Sequence, residues 1–361
     1  MSEVTTADPK PDTADTLSDD TGGRTGWTRI LLGRDVIMIY ALLAFVTYAV
    51  IAIPRFASPV TVGFLLLDVI PILMIAMPMT LIIITGEIDL SVASTAGLAS
   101  ALLGVLWADT GNIVLAVGVA LLVGALAGAF NGVLVAFVGL PSLAVTIGTL
   151  ALFRGLALVI IGDNAVADFP RGLTTFFTSK VGGTGIPTVM VGVAVIALIF
   201  GTLLHFTPFG RGLYAMGFSK DAARFVGIKV PRAKFWLYVA AGLVSALAGI
   251  YWTLRYSSAR SDNASGLELA VIAAVLLGGV SIFGGKGSIP AVIAGVLLIG
   301  TINYALRLNR VSAVVLIIVT GSLLIASVVA PSAWAGFKSW RHERELHRDL
   351  PEVTTSGSPS A

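Results

Sequence analysis

From Val36 to Ala335 the chain is an almost unbroken succession of apolar stretches, each near 20 residues long. A helix of that length is roughly 30 Å long, the thickness of a bilayer's hydrocarbon core, and it satisfies its own backbone where lipid offers no partner. The chain therefore reads as all-α and polytopic. Composition agrees, since only 12% of residues are charged against roughly 25% in soluble domains.

A sliding window of about 19 residues predicts ten membrane helices, at 36–53, 60–84, 89–107, 112–137, 143–161, 188–206, 235–254, 267–283, 288–306 and 312–334. Pro54 ends the first, and Gly139 and Pro141 punctuate the turn after the fourth. Residues 162–187 lack a long apolar run and read as an aqueous loop. Residues 207–234 are a second polar segment. Residues 1–34, with Asp8, Asp12, Asp15, Asp19 and Asp20 and no signal-like apolar run, are expected to form a disordered cytoplasmic tail. Residues 336–361 read as a basic cytoplasmic tail, leaving 35–335 as the membrane domain.

Basic residues accumulate on the cytoplasmic side of membranes. With the N-terminus inside, fifteen Lys and Arg fall inside and eight, from Arg55 to Arg310, fall at or towards the outside. Both termini are thus expected in the cytoplasm. A short match in residue type links Ile88–Val92 to Leu267–Val271, with Asp89 and Glu268 each where an apolar helix begins. These helices are five apart and would enter from opposite sides, as in an inverted repeat.

Several activities are excluded by composition and spacing. The basic residues lack the clustering and interleaved aromatics of a nucleic-acid face. The chain has no cysteine, hence no disulfide, thiolate metal site or cysteine nucleophile. Gly278–Ser288, GGVSIFGGKGS, resembles a phosphate loop only superficially: Val280 stands where glycine is needed, and Gly287 where Ser or Thr must follow Lys286. Its glycines suit a tight turn. His205, His342 and His347 form no metal cluster, and no nucleophile elbow or zinc-helix motif occurs. No catalytic residue, metal or cofactor is therefore assigned.

Polar residues within the membrane domain need a reason to be there. Asp89, beside Ser91, Ser94 and Thr95, either caps a helix start or lines an aqueous path. Asn131, Ser142, Thr146, Thr149 and Asn303 either glue helices together or bond a passing hydroxyl. Arg154, in the middle of an apolar run, must pair, snorkel or face a cavity. Candidate path residues are accordingly Asp89, Ser91, Ser94, Asn131, Thr146, Thr149, Arg154, Glu268 and Asn303. Ionisable residues within the helices are scarce and, apart from Arg154, the acids are read as sitting at helix ends, which argues against an ion-coupled carrier.

In the second polar segment, Ser219–Phe225 suits a short helix capped by Ser219, with Gly217 and Gly227 as stops; the alternative is a solvated basic loop. This stretch, GLYAMGFSKDAARFVGIKV, together with LIIITGEIDLSVAS, NGVLVAFVGLPSLAVTIGTLALFRGLAL, ARSDNASGLELAVIAAVLLGGVSIFGGKGSI and INYALRLNRVS, resembles the permease subunits of ATP-binding cassette importers of the ribose, xylose, arabinose and galactose type. The likeness covers about 35–335. It implies a dimeric transmembrane subunit, pairing with an identical or a related chain. A cytoplasmic ATPase would drive it and an extracytoplasmic sugar-binding protein would supply it. It also implies that Lys220, Asp221, Ala222, Ala223, Arg224 and Gly227 form a coupling helix against the ATPase. The family usually reads Gly-Gly-Ile-Asp-Leu-Ser-Val-Gly-Ser where this chain carries Glu87 and Ala93 at two of the glycines. The wording of SARSDNASGLEL is most like the rhamnose and autoinducer-2 branches. An ion-coupled secondary transporter and a membrane-embedded enzyme are the competing classes. The enzyme would need a convergent nucleophile or metal set.

Overall fold

The computed structural model describes residues 34–182 and 184–329. The expected tail 336–361 and all but the last residue of 1–34 lie outside them. Within the described residues all ten expected apolar segments are helical: α1 (Arg34–Ala52), α2 (Pro59–Ile84), α3 (Val92–Thr110), α4 (Ile113–Val133, continued by a π turn, Leu134–Val138), α5 (Ser142–Ile161), α7 (Met190–Phe206), α10 (Val230–Tyr256), α11 (Leu267–Leu277), α12 (Ile289–Leu308) and α13 (Ala313–Val329). Three short helices fill the stretches read as loops: α6 (Arg171–Thr178), α8 (Pro208–Phe218) and α9 (Lys220–Phe225).

Six helices are long and apolar enough to cross a membrane by themselves, and α7 with α8 makes a seventh candidate bent by 69°. Among the described residues the other three expected segments form shorter apolar helices, α1, α11 and α13, so ten is approximate as a number of full spans. The clearest shortfall is α11, expected to reach 283. It stops at Leu277 because Gly278 and Gly279 follow, the latter at φ +85°, and its 11 residues reach only about 16 Å. Asp89 and Glu268 also differ in register, since Asp89 lies before the α3 N-cap Ser91 whereas Glu268 is inside the first turn of α11.

The 69° bend follows from Thr207-Pro208. Proline pushes the residue before it to extended backbone, and Thr207 has φ −111°, ψ 156°. Its hydroxyl then accepts the Gly210 amide at 3.2 Å and caps α8. Similarly, Pro231 in the first turn starts α10 at Val230 rather than 235, which draws Lys234 into the helix.

α2 and α10 form the centre. From Leu73 to Ile84 every α2 residue is buried, and α10 packs on α4, α3 and α2. The α4–α10 contact is made by Gly124, Gly128 and Gly132, spaced four apart and hence on one face, against Tyr238, Gly242 and Ala246. A side chain at Gly128 would stand 2.2 Å from the Tyr238 carbonyl oxygen. Small residues are what let membrane helices approach so closely. The outer faces of α4 and α5 leave large apolar side chains such as Leu126, Phe137, Ile147 and Val159 exposed, as expected of a surface that meets lipid.

Residues 162–187, expected to be an aqueous loop, fold back onto the helices. Val166 pairs with Ala259, Phe169 is buried beside Trp107, and Phe177 of α6 packs edge-on to Tyr251. The apolar residues that do this are isolated in sequence, so a long window averages them away.

Candidate functional site

The segment between α2 and α3, residues 85–91, is the meeting point of the molecule. Glu87 accepts from Lys220 of α9 at 2.9 Å and from the buried Lys234 of α10. The Ile88 amide donates to Ser142 Oγ of α5 at 3.2 Å, and its carbonyl accepts from the Tyr238 hydroxyl of α10 at 3.3 Å. The Ile84 carbonyl, at the end of α2, accepts from the Gly285 amide at 2.8 Å. This stretch and the end of α2 thus tie together α5, α9, α10 and the turn that carries Gly285. A buried carboxylate is tolerated only when paired and hydrogen-bonded. Burial raises the Glu87 proton affinity, but the two lysines and Ser142 outweigh it and hold the carboxyl below its ordinary 4.5. The same contact raises the Lys220 ammonium above its ordinary value.

Asp89 is buried two residues further on without a cationic partner. Its Oδ1 accepts from the Ser91 amide at 2.9 Å and hydroxyl at 2.7 Å. Burial pushes its carboxyl above the ordinary value, against those two bonds. Asn131 Nδ2 of α4 donates to Ser91 Oγ at 2.8 Å, and Ser94 Oγ donates to the Ser91 carbonyl at 2.8 Å. Asn131 Oδ1 is left buried without a partner. Thr146 and Thr149 lie alongside on α5, with Thr146 Oγ1 donating to the Ser142 carbonyl at 2.9 Å.

The other candidates lie outside this bonded cluster. Arg154 Nη1 donates to the Ser261 and Asn263 carbonyls at 2.6 and 2.9 Å, and Nη2 to the Ala93 carbonyl at 3.4 Å. Glu268 and Asp262 act on it electrostatically. The guanidinium fastens residues 261–263 over α3, in a notch that Gly97 keeps open: a Cβ there would lie 2.5 Å from Nη1. Arg154→Ala is expected to lower stability by on the order of 1.5–3 kcal/mol, the worth of charge-assisted hydrogen bonds, with Arg154→Lys recovering part. Thermal unfolding in detergent checks this, and an unchanged midpoint would refute the tie. Asn303 stands apart from both groups. With Ser265, Arg307 and Thr320 it lines a cavity of about 450 Å³ between α11, α12 and α13, and its Oδ1 is buried without a partner.

The nine path candidates therefore fall into three places. Asp89, Ser91, Ser94 and Asn131 form one bonded cluster with Thr146 and Thr149 beside it, Arg154 and Glu268 form a second group, and Asn303 lines the separate cavity. Two further residues escaped the sequence reading. Asp68 is ten residues into α2, not at a helix end, and accepts from Arg255 and, at 3.0 Å, from Arg307. Lys234 is buried in α10. The reading that the acids sit at helix ends is corrected by Asp68. A charge inside an apolar run was the available signal in FLLLDVIPIL. With both carboxylate oxygens held by arginines, Asp68 is not poised to take up a coupling ion.

α9 completes the picture. Ser219 Oγ accepts the Ala222 amide at 3.2 Å, Ala223 is buried, and Gly227 at φ +85° ends the turn. Asp221 and Arg224 are exposed and 3.6 Å apart, and Phe225 is 92% exposed. A capped, six-residue helix with its outer face bare is anchored to the bundle through Lys220 and Glu87.

Residues 61–328 match the family described as branched-chain amino acid transport system, permease component. The chain belongs to this family: it is a multi-pass membrane transport permease and not an enzyme. The autoinducer 2 import system permease protein LsrD of Photorhabdus laumondii is 34% identical over 341 residues, covering 90% of this chain and 98% of that protein. The protein of the same name from Yersinia enterocolitica is 36% identical over 275 residues, 73% of this chain and 81% of its own. The ribose import permease protein RbsC of Bacillus subtilis is 38% identical over 280 residues, 76% of this chain and 86% of its own. No solved structure matches.

Proposed function

We propose that the chain is the transmembrane subunit of an ATP-driven importer for a monosaccharide or a similarly small, hydroxyl-rich solute. It works in the bacterial cytoplasmic membrane with both termini cytoplasmic. A second permease chain completes the pathway, an extracytoplasmic binding protein delivers the solute, and a separate cytoplasmic ATPase hydrolyses the nucleotide. The observation that carries this is α9, a capped helix bare on its outer face and held by Lys220 to Glu87 at the start of the Asp89–Ser91–Asn131 cluster. Such a helix can pass the motion of a docked ATPase to the membrane domain by rigid-body displacement. The path would run past Asp89, Ser91, Ser94, Asn131, Thr146 and Thr149 near the α9 end. Arg154, Glu268 and Asn303 would line it further from α9.

An ion-coupled carrier is the second reading. The buried Asp89, held only by Ser91, is the observation that favours it, whereas the arginine-bound Asp68 and lysine-bound Glu87 are closed to an entering ion.

Uptake into proteoliposomes containing the permease, ATPase and binding protein tests the reading, with labelled autoinducer 2, ribose and rhamnose as the panel. ATP-dependent accumulation of one solute is expected. ATP-independent uptake collapsed by an ionophore would establish the carrier instead. Asp221→Lys with Arg224→Glu reverses two exposed charges of α9 without touching a buried group. That double variant is expected to insert normally, to lose ATPase on co-purification and to fall to background uptake. Wild-type co-purification and uptake would remove α9 from the coupling role.

A further inference from the structure

The turn between α11 and α12 carries a feature that neither membrane insertion nor solute passage explains. Phe283, within SIFGGKGS, is 83% exposed, yet its turn is tied down by hydrogen bonds within the turn and to Tyr214. The Ser281 amide donates to the Lys286 carbonyl at 3.0 Å, the Gly284 amide to the Ser281 carbonyl at 2.9 Å, and the Tyr214 hydroxyl to the Gly287 carbonyl at 2.7 Å. Gly284 and Gly285 have φ +85° and +74°, conformations that cost a side-chain-bearing residue energy. Both are also sterically enclosed. A Cβ on Gly284 would meet Gly86 N and Ile84 O at 3.0 Å, and one on Gly217 would meet Gly285 N at 2.2 Å. Glycines from three distant stretches thus press together at the end of α2, and the phenylalanine beside them remains in the open.

A mobile loop could fold such a ring back against the protein. This turn is fixed, so the exposed ring is already in place for a contact made elsewhere, and a preformed aromatic anchor is what an interface uses at low entropic cost. The neighbouring surface points to the partner. Gly285 lies against the Phe218 ring, where a Cβ would come within 3.2 Å, and Phe218 immediately precedes Ser219, the cap of α9. Phe218 and Phe225 are 70% and 92% exposed, so the apolar patch runs on from Phe283 to α9. Lys220 and Arg224 belong to α9, and Lys286 follows Gly285 in the turn. The patch stands at the end of α2, whose residues Leu73–Ile84 are all buried.

We infer that the Ser281–Lys286 turn is a second docking element for the same cytoplasmic ATPase, with Phe283 as its anchor. It enters an apolar recess with an acidic rim on that subunit. The inference rests on the reading that an ATPase docks at α9, and it adds a contact from the C-terminal half of the chain. An ATPase seated on both elements holds them in a fixed relation across the glycine contact.

Because the chain has no cysteine, Phe283→Cys and, separately, Phe225→Cys can each carry one environment-sensitive fluorophore. Labelled permease in lipid nanodiscs is titrated with the ATPase. Emission from position 283 is expected to shift to the blue only when the ATPase is added, and unlabelled Phe283→Asp is expected to weaken ATPase binding at least tenfold. Emission already blue-shifted before addition would show that the ring lies in lipid and would overturn the inference. A response at 225 with none at 283, and unchanged affinity of Phe283→Asp, would overturn it while leaving α9 docking intact. Silence at both positions would overturn both.

Discussion

Gly128→Val is expected to abolish accumulation of folded protein. The added Cβ would stand 2.2 Å from the Tyr238 carbonyl oxygen, 2.9 Å from its carbon and 3.0 Å from Val239 Cα. All three are backbone atoms, so no side-chain rotation relieves the overlap and α10 must move off α4. Overpacking typically costs about 1–3 kcal/mol where neighbours can yield; here they cannot. The damage also spreads, because the Tyr238 hydroxyl holds the Ile88 carbonyl. Gly118→Ala and Gly148→Ala are the controls: a Cβ at either meets nothing within 4 Å, and alanine favours a helix by roughly 0.5–1 kcal/mol. Size-exclusion profiles after detergent extraction decide the matter. A monodisperse Gly128→Val protein with a wild-type melting point would show that the close α4–α10 contact is not needed.

Lys234→Met is expected to be the most damaging single change outside the glycine seams. It leaves the Glu87 carboxylate buried with only the half-exposed Lys220. Breaking a buried pair commonly costs roughly 3–5 kcal/mol because the surviving charge is uncompensated, and Lys220 brings the cost towards the lower end. Adding Glu87→Gln should restore much of the loss, since the double variant has no buried charge left there. Thermal unfolding of the two single variants and the double completes the cycle. Purely additive losses would mean that the two groups do not act as a pair. The pair also has a signature in pH. The folded-state proton affinity of Glu87 is below its ordinary 4.5, so its stabilisation is present above that value and lost as pH falls through the lower folded value. Wild type should therefore lose stability on acidification through this window, and Glu87→Gln should lose less.

Sequence patterning was informative where a single helix carries the signal by itself. The ten apolar segments and the capped turn of α9 follow from local rules, window hydropathy in one case and Ser219 with Gly227 in the other. Residues whose meaning depends on a partner far along the chain were not legible. Glu87 stands out only as a departure from a glycine, and nothing local says that Lys220 and Lys234, 133 and 147 residues away, would meet it. Lys234 reads as one more basic residue in a polar segment until Pro231 is seen to start α10 early. Asp68 was visible as a charge in an apolar run, but averaging over a window hid it. For Arg154, the need for partners was clear, while the carbonyls that supply them lie 61 to 109 residues away. Window averaging equally misplaced residues 162–187, whose Val166, Phe169 and Phe177 are too widely spaced to register as an apolar run.

The glycine contact at the end of α2 bears on how the protein is made. Ile84 receives its hydrogen bond from Gly285, 201 residues later in the chain, and Glu87 waits for Lys220 and Lys234. At about 5–20 residues per second of synthesis, the first two helices are complete on the order of 10–40 s before Gly285 exists. For the first part of that interval the Glu87 carboxylate, and throughout it the Ile84 carbonyl, is without its final partner. The nascent N-terminal half is therefore a substrate for whatever insertion or quality-control machinery holds polar groups, and truncated chains ending before Gly285 carry an open wound that such machinery can recognise.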